Sequence, residues 1–427
     1  MDRPIVITGL GAICALGKDP GAILDALYAG RSAIGPMMEW ASADTPPPLA
    51  ACIPDLAPRE LVSDRKLHKL IRRTDLLGLY AAERAIAAAG IAATRETLEA
   101  AAIEAFNDRT GIYDASGGGN YQDSYEFFPL MSAARGELRV YGEELTSQVD
   151  PMFLLKSLPN NVLCHLGIRQ GFKGPNCCFV NQSSSGPLVI GQALDTLRDG
   201  EADRVVVVAH DAPVEPQSIV YYSSLGLLSL SSLRPFDERH DGTVLGEGAA
   251  AMMLETRESA AGRDAPVLGE VLSVACTSEA GGLLPLRRDG DGLARAIEAA
   301  LDSARLERSE IGAIVAHGNG TPASDDSEAA AIRRVFGSSV PPVTSFKWGI
   351  GHLLAGAGMI EAVLALKSLA HGTVPGIATF ESPAAASAGL PVSRDAQTPR
   401  SPIGLVLCRG FGSFSTALIV RAGGSSR

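Results

Sequence analysis

Short apolar runs alternate along this chain with stretches whose apolar positions recur every three to four residues. Pro4–Thr8, Arg204–Ala209, Ala249–Leu254, Ala313–Ala316 and Leu405–Leu407 read as strands, and Asp75–Ala89, Pro187–Asp199, Gly292–Ala304 and Ile360–Ala370 as helices. Strands without a polar face belong to a sheet covered on both sides, so the pattern predicts an α/β protein. Glu258–Asp264 (ESAAGRD) separates two strand-like runs and divides the chain into 1–257 and 258–427. A link that short predicts two packed halves sharing a core. No sequence repeat of fixed period is visible.

Composition narrows the function classes. Over 427 residues, 46% hydrophobic and 20% charged positions are those of a folded core and not of a disordered chain. A net charge of −11 argues against nucleic-acid and membrane partners, which need a dominant basic surface. Seven cysteines lack regular spacing, and Cys177–Cys178 is an adjacent pair, so neither a disulfide framework nor a metal site is expected. The N-terminus carries an acid at position 2 and an apolar run broken by glycine, unlike a secretory signal. No uninterrupted apolar run approaches the ~20 residues of a membrane span, and a cytoplasmic location is expected.

Several segments carry candidate chemistry. Gly9-Leu10-Gly11 follows a strand without dinucleotide-loop spacing, and reads as a tight strand-to-helix turn. In GPNCCFVNQSSSGPLVIGQALDTLRDGEAD, a strand at CCFVN leads into a helix beginning at about Ser184–Pro187. Ser183 sits at that junction, where backbone N–H groups and the helix dipole favour a developing negative charge; an ordinary helix cap is the plainer reading. HGNGTPASDDSE places His317 after the strand AIVA, at the end of a sheet where α/β proteins gather their sites. TSFKWGIGHLLAGAG sets Lys347 and His352 in a glycine-rich turn, a cation and an imidazole close enough to serve one anionic group.

Taken in order, these segments resemble the β-ketoacyl-acyl-carrier-protein synthases, or ketosynthases, of the thiolase-like fold, over nearly the whole chain. VITGLGAICALG resembles the opening strand and turn of that family, YAGRSAIGP its early glycine loop and RPFDERHDGTVLGEGAA its central signature. HGNGTPASDDSEAAAI is similar to the HGTGT segment, TSFKWGIGHLLAGAG to the lysine-and-histidine loop and GFGSFSTAL to the C-terminal glycine-phenylalanine turn. The resemblance implies two similar halves in αβαβα layers. It also implies that His317 and His352 bind a malonyl thioester carbonyl, that Lys347, Asp325 and Glu328 order the site, and that Phe411, between Gly410 and Gly412, gates an acyl pocket. Asn319 replaces a threonine, Thr243 an aromatic residue, Ser413 a glycine and Ser415 an asparagine of the family pattern.

Counted from Gly174-Pro175 or back from Gly200-Glu201-Ala202-Asp203, the family's nucleophilic cysteine falls on Ser183. A one-residue shift places Gln182 there, resembling glutamine-bearing decarboxylases and chain-length-factor subunits. A serine hydroxyl does not ionise near neutrality and needs a base, for which His317 or His352 is the candidate. Three readings follow: an acyltransferase using Ser183, a non-condensing chain-length-factor-like subunit paired with a cysteine-bearing ketosynthase, and a replacement introduced to disable an ordinary ketosynthase. The resemblance implies an acyl carrier protein as partner, supplying its phosphopantetheine arm so that no other cofactor is needed, and a homodimer or heterodimer with another ketosynthase. Carrier proteins are acidic, and Arg65, Lys66, Lys69, Arg72 and Arg73 form a candidate docking patch, with positions 65, 69, 72 and 73 able to share a helical face.

Overall fold

A computed structural model describes residues 3–41, 46–54, 56–117 and 127–424. Ten strands form one mixed sheet: β1 (Ile5–Cys14), β2 (Thr110–Ser116), β3 (Asn176–Phe179), β4 (Arg204–Asp211), β5 (Gly248–Thr256), β6 (Gly269–Ser278), β7 (Ala313–Val315), β8 (Val343–Thr344), β9 (Ile403–Gly410) and β10 (Phe414–Ala422). Their order is β8-β7-β9-β10-β6-β1-β5-β4-β2-β3. The first five strands therefore lie as 1-5-4-2-3, and the last five repeat that arrangement strand for strand. Directions repeat too: the first strand of each half pairs antiparallel with the fifth, the fifth antiparallel with the fourth, and the fourth, second and third run parallel. Within the sheet, the described residues of the two halves pair at Val6–Glu270 and Ile7–Gly269 of β1 and β6. A structural repeat thus exists where the sequence shows none. The segment 258–264 lies in the helix Arg257–Ala261 and the loop after it, between β5 and β6.

Helices α1 (Arg73–Ala88), α2 (Ser185–Asp199), α3 (Pro216–Ser224), α4 (Asp291–Ala304), α5 (Pro322–Phe336) and α6 (Ala357–His371) complete the layers. Along β4, Val206 and Val208 pack on the α1 side while Val205, Val207 and Ala209 pack with α2. That alternation is the strand period of two with both faces buried. α2 and α6 touch each other and strands of both halves, whereas α1 packs on β1, β4 and β5 and α4 on β6 and β10. The order α1, sheet, α2/α6, sheet, α4 is the αβαβα layering of the thiolase-like fold. The stretch Leu354–His371 has the length and hydropathy of a membrane span, yet 83% of it is buried inside the protein as the central helix.

Gly9 and Gly11 correct the expected turn. They lie within β1, where an added Cβ would stand 2.0 Å from the carbonyl oxygens of Ala85 and Ala81 on α1. The missing side chains let helix and strand approach closely; no loop is made there.

Candidate active site

Two matching elbows build the site. After β3, Gln182–Ser184 form a short 3-10 turn that passes into α2 at Ser185. After β8, Leu354–Gly356 form the same turn and pass into α6 at Ala357. Each turn opens on a residue in the left-handed region, Gln182 at φ 46° and Leu354 at φ 42°, which non-glycine residues seldom adopt. The helices then cross at small residues: a Cβ on Gly186 would lie 2.7 Å from the Met359 nitrogen, and one on Gly358 would lie 2.5 Å from Pro187 Cδ. Ser183 and Ala355 are therefore structural counterparts.

Ser183 is buried, and its Oγ lies 3.2 Å from His352 Nε2. The His317 and His352 rings stand 5.3 Å apart, edge to face at 76°. Their tautomers follow from their backbone partners, because a backbone N–H can only donate. Leu354 N–H donates to His352 Nδ1 at 3.1 Å, and Arg409 N–H donates to His317 Nδ1 at 3.4 Å. In the neutral rings each Nε2 therefore carries the proton. Burial, reinforced by the Lys347 charge, holds both imidazoles well below their usual pKa, so neutral rings are the resting state. His352 thus donates to Ser183 Oγ and has no lone pair with which to take its proton. The expectation of a histidine base for the serine is not met by this arrangement. The two imidazoles line the same cavity as Ser183, an arrangement chemically suited to donating to a carbonyl oxygen that gains negative charge.

Charged residues behind the rings hold them in place. Glu328 on α5 accepts the backbone N–H groups of His317 and Gly318, both at 2.8 Å, and Asp325 accepts those of Gly320 at 3.2 Å and Phe236 at 2.8 Å. Gly318 and Gly320 have positive φ, which lets the loop fold over these carboxylates. Lys347 is fully buried, donating to the His317 carbonyl at 2.7 Å and pairing with Glu361 on α6. It is absent from the cavity lining, so the expected shared service of Lys347 and His352 to one anion becomes positioning of His317 from behind. Burial pushes Glu361 and Glu328 up to about 7. Glu361 escaped sequence reasoning, although a lone acid inside the apolar helix AGMIEAVLALKSLAH is a signal.

Ser183, His317 and His352 line one cavity of about 350 Å³, together with Asn319, Thr243 and Phe411. Phe411 stacks on Tyr222 at 5.9 Å and also lines a second cavity of about 210 Å³, bounded by Asp211, Glu215 and Ser218. It stands between the two spaces, flanked by Gly410 and by Gly412 at φ 79°. Ser413 ties this turn down, its hydroxyl donating to the carbonyls of Gly282 and Pro285 at 3.0 Å.

The basic segment differs from expectation. Residues 65–73 pass through a turn and a short 3-10 helix at Leu67–Lys69 before α1 begins, so they share no helical face. Arg65, Lys66 and Lys69 are exposed. Arg73 forks onto Glu247, with Nε 2.6 Å from Oε2, and Arg72 packs beside Asp75 at 3.5 Å. Arg72 is thereby withdrawn from the surface, whereas Arg73 is held by Glu247 while its side chain stays 37% exposed.

The fold and its paired elbows define a protein of the thiolase-like fold. Residues 2–260 match the β-ketoacyl synthase N-terminal domain and residues 268–381 its C-terminal domain, and the chain belongs to the β-ketoacyl synthase family of acyltransferases. It is 30% identical to 3-oxoacyl-[acyl-carrier-protein] synthase 2 of Synechocystis sp., over 89% of each chain. It is likewise 30% identical to the granaticin polyketide putative β-ketoacyl synthase 1 of Streptomyces violaceoruber, over 98% of each. Among solved structures, a β-ketoacyl synthase from Burkholderia phymatum and the ishigamide ketosynthase/chain length factor each superpose with TM-score 0.87 and 26% identity, covering 99% of this chain and all of theirs.

Proposed function

We propose that this ketosynthase-family protein binds malonyl-type acyl groups on an acyl carrier protein, with the thioester carbonyl between His317 and His352, and that Ser183 does not carry the acyl chain. One observation bears the reading: Leu354 N–H occupies His352 Nδ1 and leaves Nε2–H pointing at Ser183 Oγ. A hydroxyl that accepts a hydrogen bond and meets no base is a poor nucleophile at neutral pH. A cysteine at the same place would need no base, since the α2 N-terminus favours its thiolate. The malonyl side of a condensing site is therefore complete and the acyl-holding side is not.

Carbon–carbon bond formation then needs a second, cysteine-bearing chain. The superposition on the ishigamide ketosynthase/chain length factor supports that reading. So does the edge of the sheet: β3 pairs only with β2 among the described residues, and exposed Val180 follows it, three residues before Ser183. An open strand edge with apolar neighbours suits pairing with another subunit. Arg65, Lys66 and Lys69 are the surface for an acidic carrier, whose phosphopantetheine arm enters the cavity of Ser183.

Intact mass after incubation with acyl- and malonyl-loaded carrier protein tests the proposal. The wild type and Ser183→Ala are expected to gain no adduct, and Ser183→Cys to gain one acyl mass. An adduct on the wild type that disappears in Ser183→Ala would overturn the reading and restore Ser183 as nucleophile.

A further inference from the structure

The walls of the main cavity carry donors that the fold itself does not use. Arg409 is the penultimate residue of β9, directly before Gly410, and is 3% exposed. Its guanidinium meets Glu279 at 3.1 Å and the Ser324 carbonyl at 3.3 Å, while Nε has no partner among the described residues. Ser324 Oγ and Thr243 Oγ1 also lack partners there, in residues 3% and 4% exposed. All three residues line the cavity that holds His317 and His352. A buried polar atom left unpaired costs roughly 1–3 kcal/mol, and an acceptor-rich ligand in that cavity would satisfy all three.

We infer that Arg409, Ser324 and Thr243 receive the free carboxylate of the acyl group whose thioester carbonyl lies between the imidazoles, and that they hold it intact. The inference rests on the proposed binding of that carbonyl by His317 and His352. In a malonyl group the carboxylate carbon is two bonds from the thioester carbonyl carbon. The wall begins beside His317, where the Arg409 backbone N–H already meets the ring. Glu279 balances the guanidinium charge, so the wall selects by hydrogen-bond geometry more than by attraction for any anion.

The chemical consequence concerns decarboxylation. In that step the bond between the methylene carbon and the carboxylate carbon breaks, its electron pair passes into the thioester enolate, and carbon dioxide leaves. Charge moves away from the carboxylate oxygens. Donors fixed on those oxygens stabilise the starting state more than the transition state and slow the loss. The imidazole N–H groups act in the opposite sense by stabilising the enolate oxygen. Arg409 is thus a specificity-determining and positioning residue that favours keeping the malonyl group over losing it.

The test uses the full chain with carrier protein loaded with malonyl or acetyl groups, or left unloaded as the phosphopantetheine form. Affinity is measured by titration, and the malonyl-to-acetyl conversion of the bound carrier by mass. The wild type is expected to prefer malonyl over acetyl carrier by about tenfold, the effect of one charge-assisted hydrogen-bond set. Arg409→Met is expected to bring that ratio to about one and to speed malonyl loss several-fold. Because Arg409→Met leaves Glu279 buried without its partner, Thr243→Val is run beside it and is expected to lower the preference two- to fivefold, roughly one neutral hydrogen bond. Equal affinity of the wild type for malonyl and acetyl carrier, both tighter than unloaded carrier, would overturn the carboxylate wall and leave the imidazole reading standing. Loaded carrier binding no tighter than unloaded carrier would overturn the imidazole reading itself.

Discussion

At the scale of single residues, the behaviour of the site is set by which atoms hydrogen bonds leave free. Two backbone N–H groups fix the histidine tautomers, and a buried lysine–glutamate pair holds the loop behind them. The pair leaves a trace in the pH dependence of stability. Burial lifts the folded-state pKa of Glu361 from 4.5 to about 7, so between those values the native protein binds more protons than the unfolded chain. Stability from this group is therefore present at acid pH and lost as pH rises through about 7. His317 and His352, shifted downward, act in the opposite sense below 6.5. Comparing the wild type with Glu361→Gln cancels the histidine contribution. Thermal midpoints recorded from pH 5 to pH 8 should fall more steeply with pH in the wild type than in Glu361→Gln; parallel curves would show that Glu361 does not titrate in this window. The tautomers lay outside sequence reasoning because they depend on Leu354 and Arg409 backbone groups that only the folded chain brings to the rings.

Among the elements, the long helices and apolar strands were legible because their periodicity reports burial directly. Asp75–Ala89 and Pro187–Asp199 nearly coincide with α1 and α2. Segments whose meaning depends on a neighbour were not legible. Gly9 and Gly11 look like a turn until α1 is seen against them. Gly11→Ala should cost about 3 kcal/mol or more, because the new methyl meets a backbone carbonyl that cannot swing aside. Denaturant unfolding checks this, and a change under 1 kcal/mol would mean that α1 shifts freely on the sheet. The basic segment 65–73 misled for a related reason. Leu67 and Ile71 are buried and Arg72 is extended at ψ 176°, with its N–H donating to Asp75, so the helix starts only at Arg73. Charge spacing alone carries no record of where a helix begins.

Across the whole molecule, the acidic balance and the local basic surface act together. A chain of net charge −11 repels an acidic carrier everywhere except where positive side chains are grouped. Reversing Arg65, Lys66 and Lys69 to glutamate together should weaken carrier binding by about tenfold or more at low salt and much less at high salt. Titrations at two ionic strengths measure this; equal affinity of the triple variant at low salt would place the docking surface elsewhere. Arg72→Glu and Arg73→Glu belong to a different experiment, since both side chains are engaged by buried carboxylates, Asp75 and Glu247, and their loss should lower stability.

The repeated strand order has a consequence for the two elbows. A half-length chain assembling with its own copy would set two identical elbows against each other, each with the same side chain to offer. Two halves within one chain are free to differ. In this protein one elbow keeps a hydroxyl at Ser183, and the other presents only Ala355 and lends its neighbour His352 to the first. Chemistry is lopsided while architecture is symmetric: one elbow sets a hydroxyl 3.2 Å from an imidazole, and its twin sets only a methyl group at the matching place.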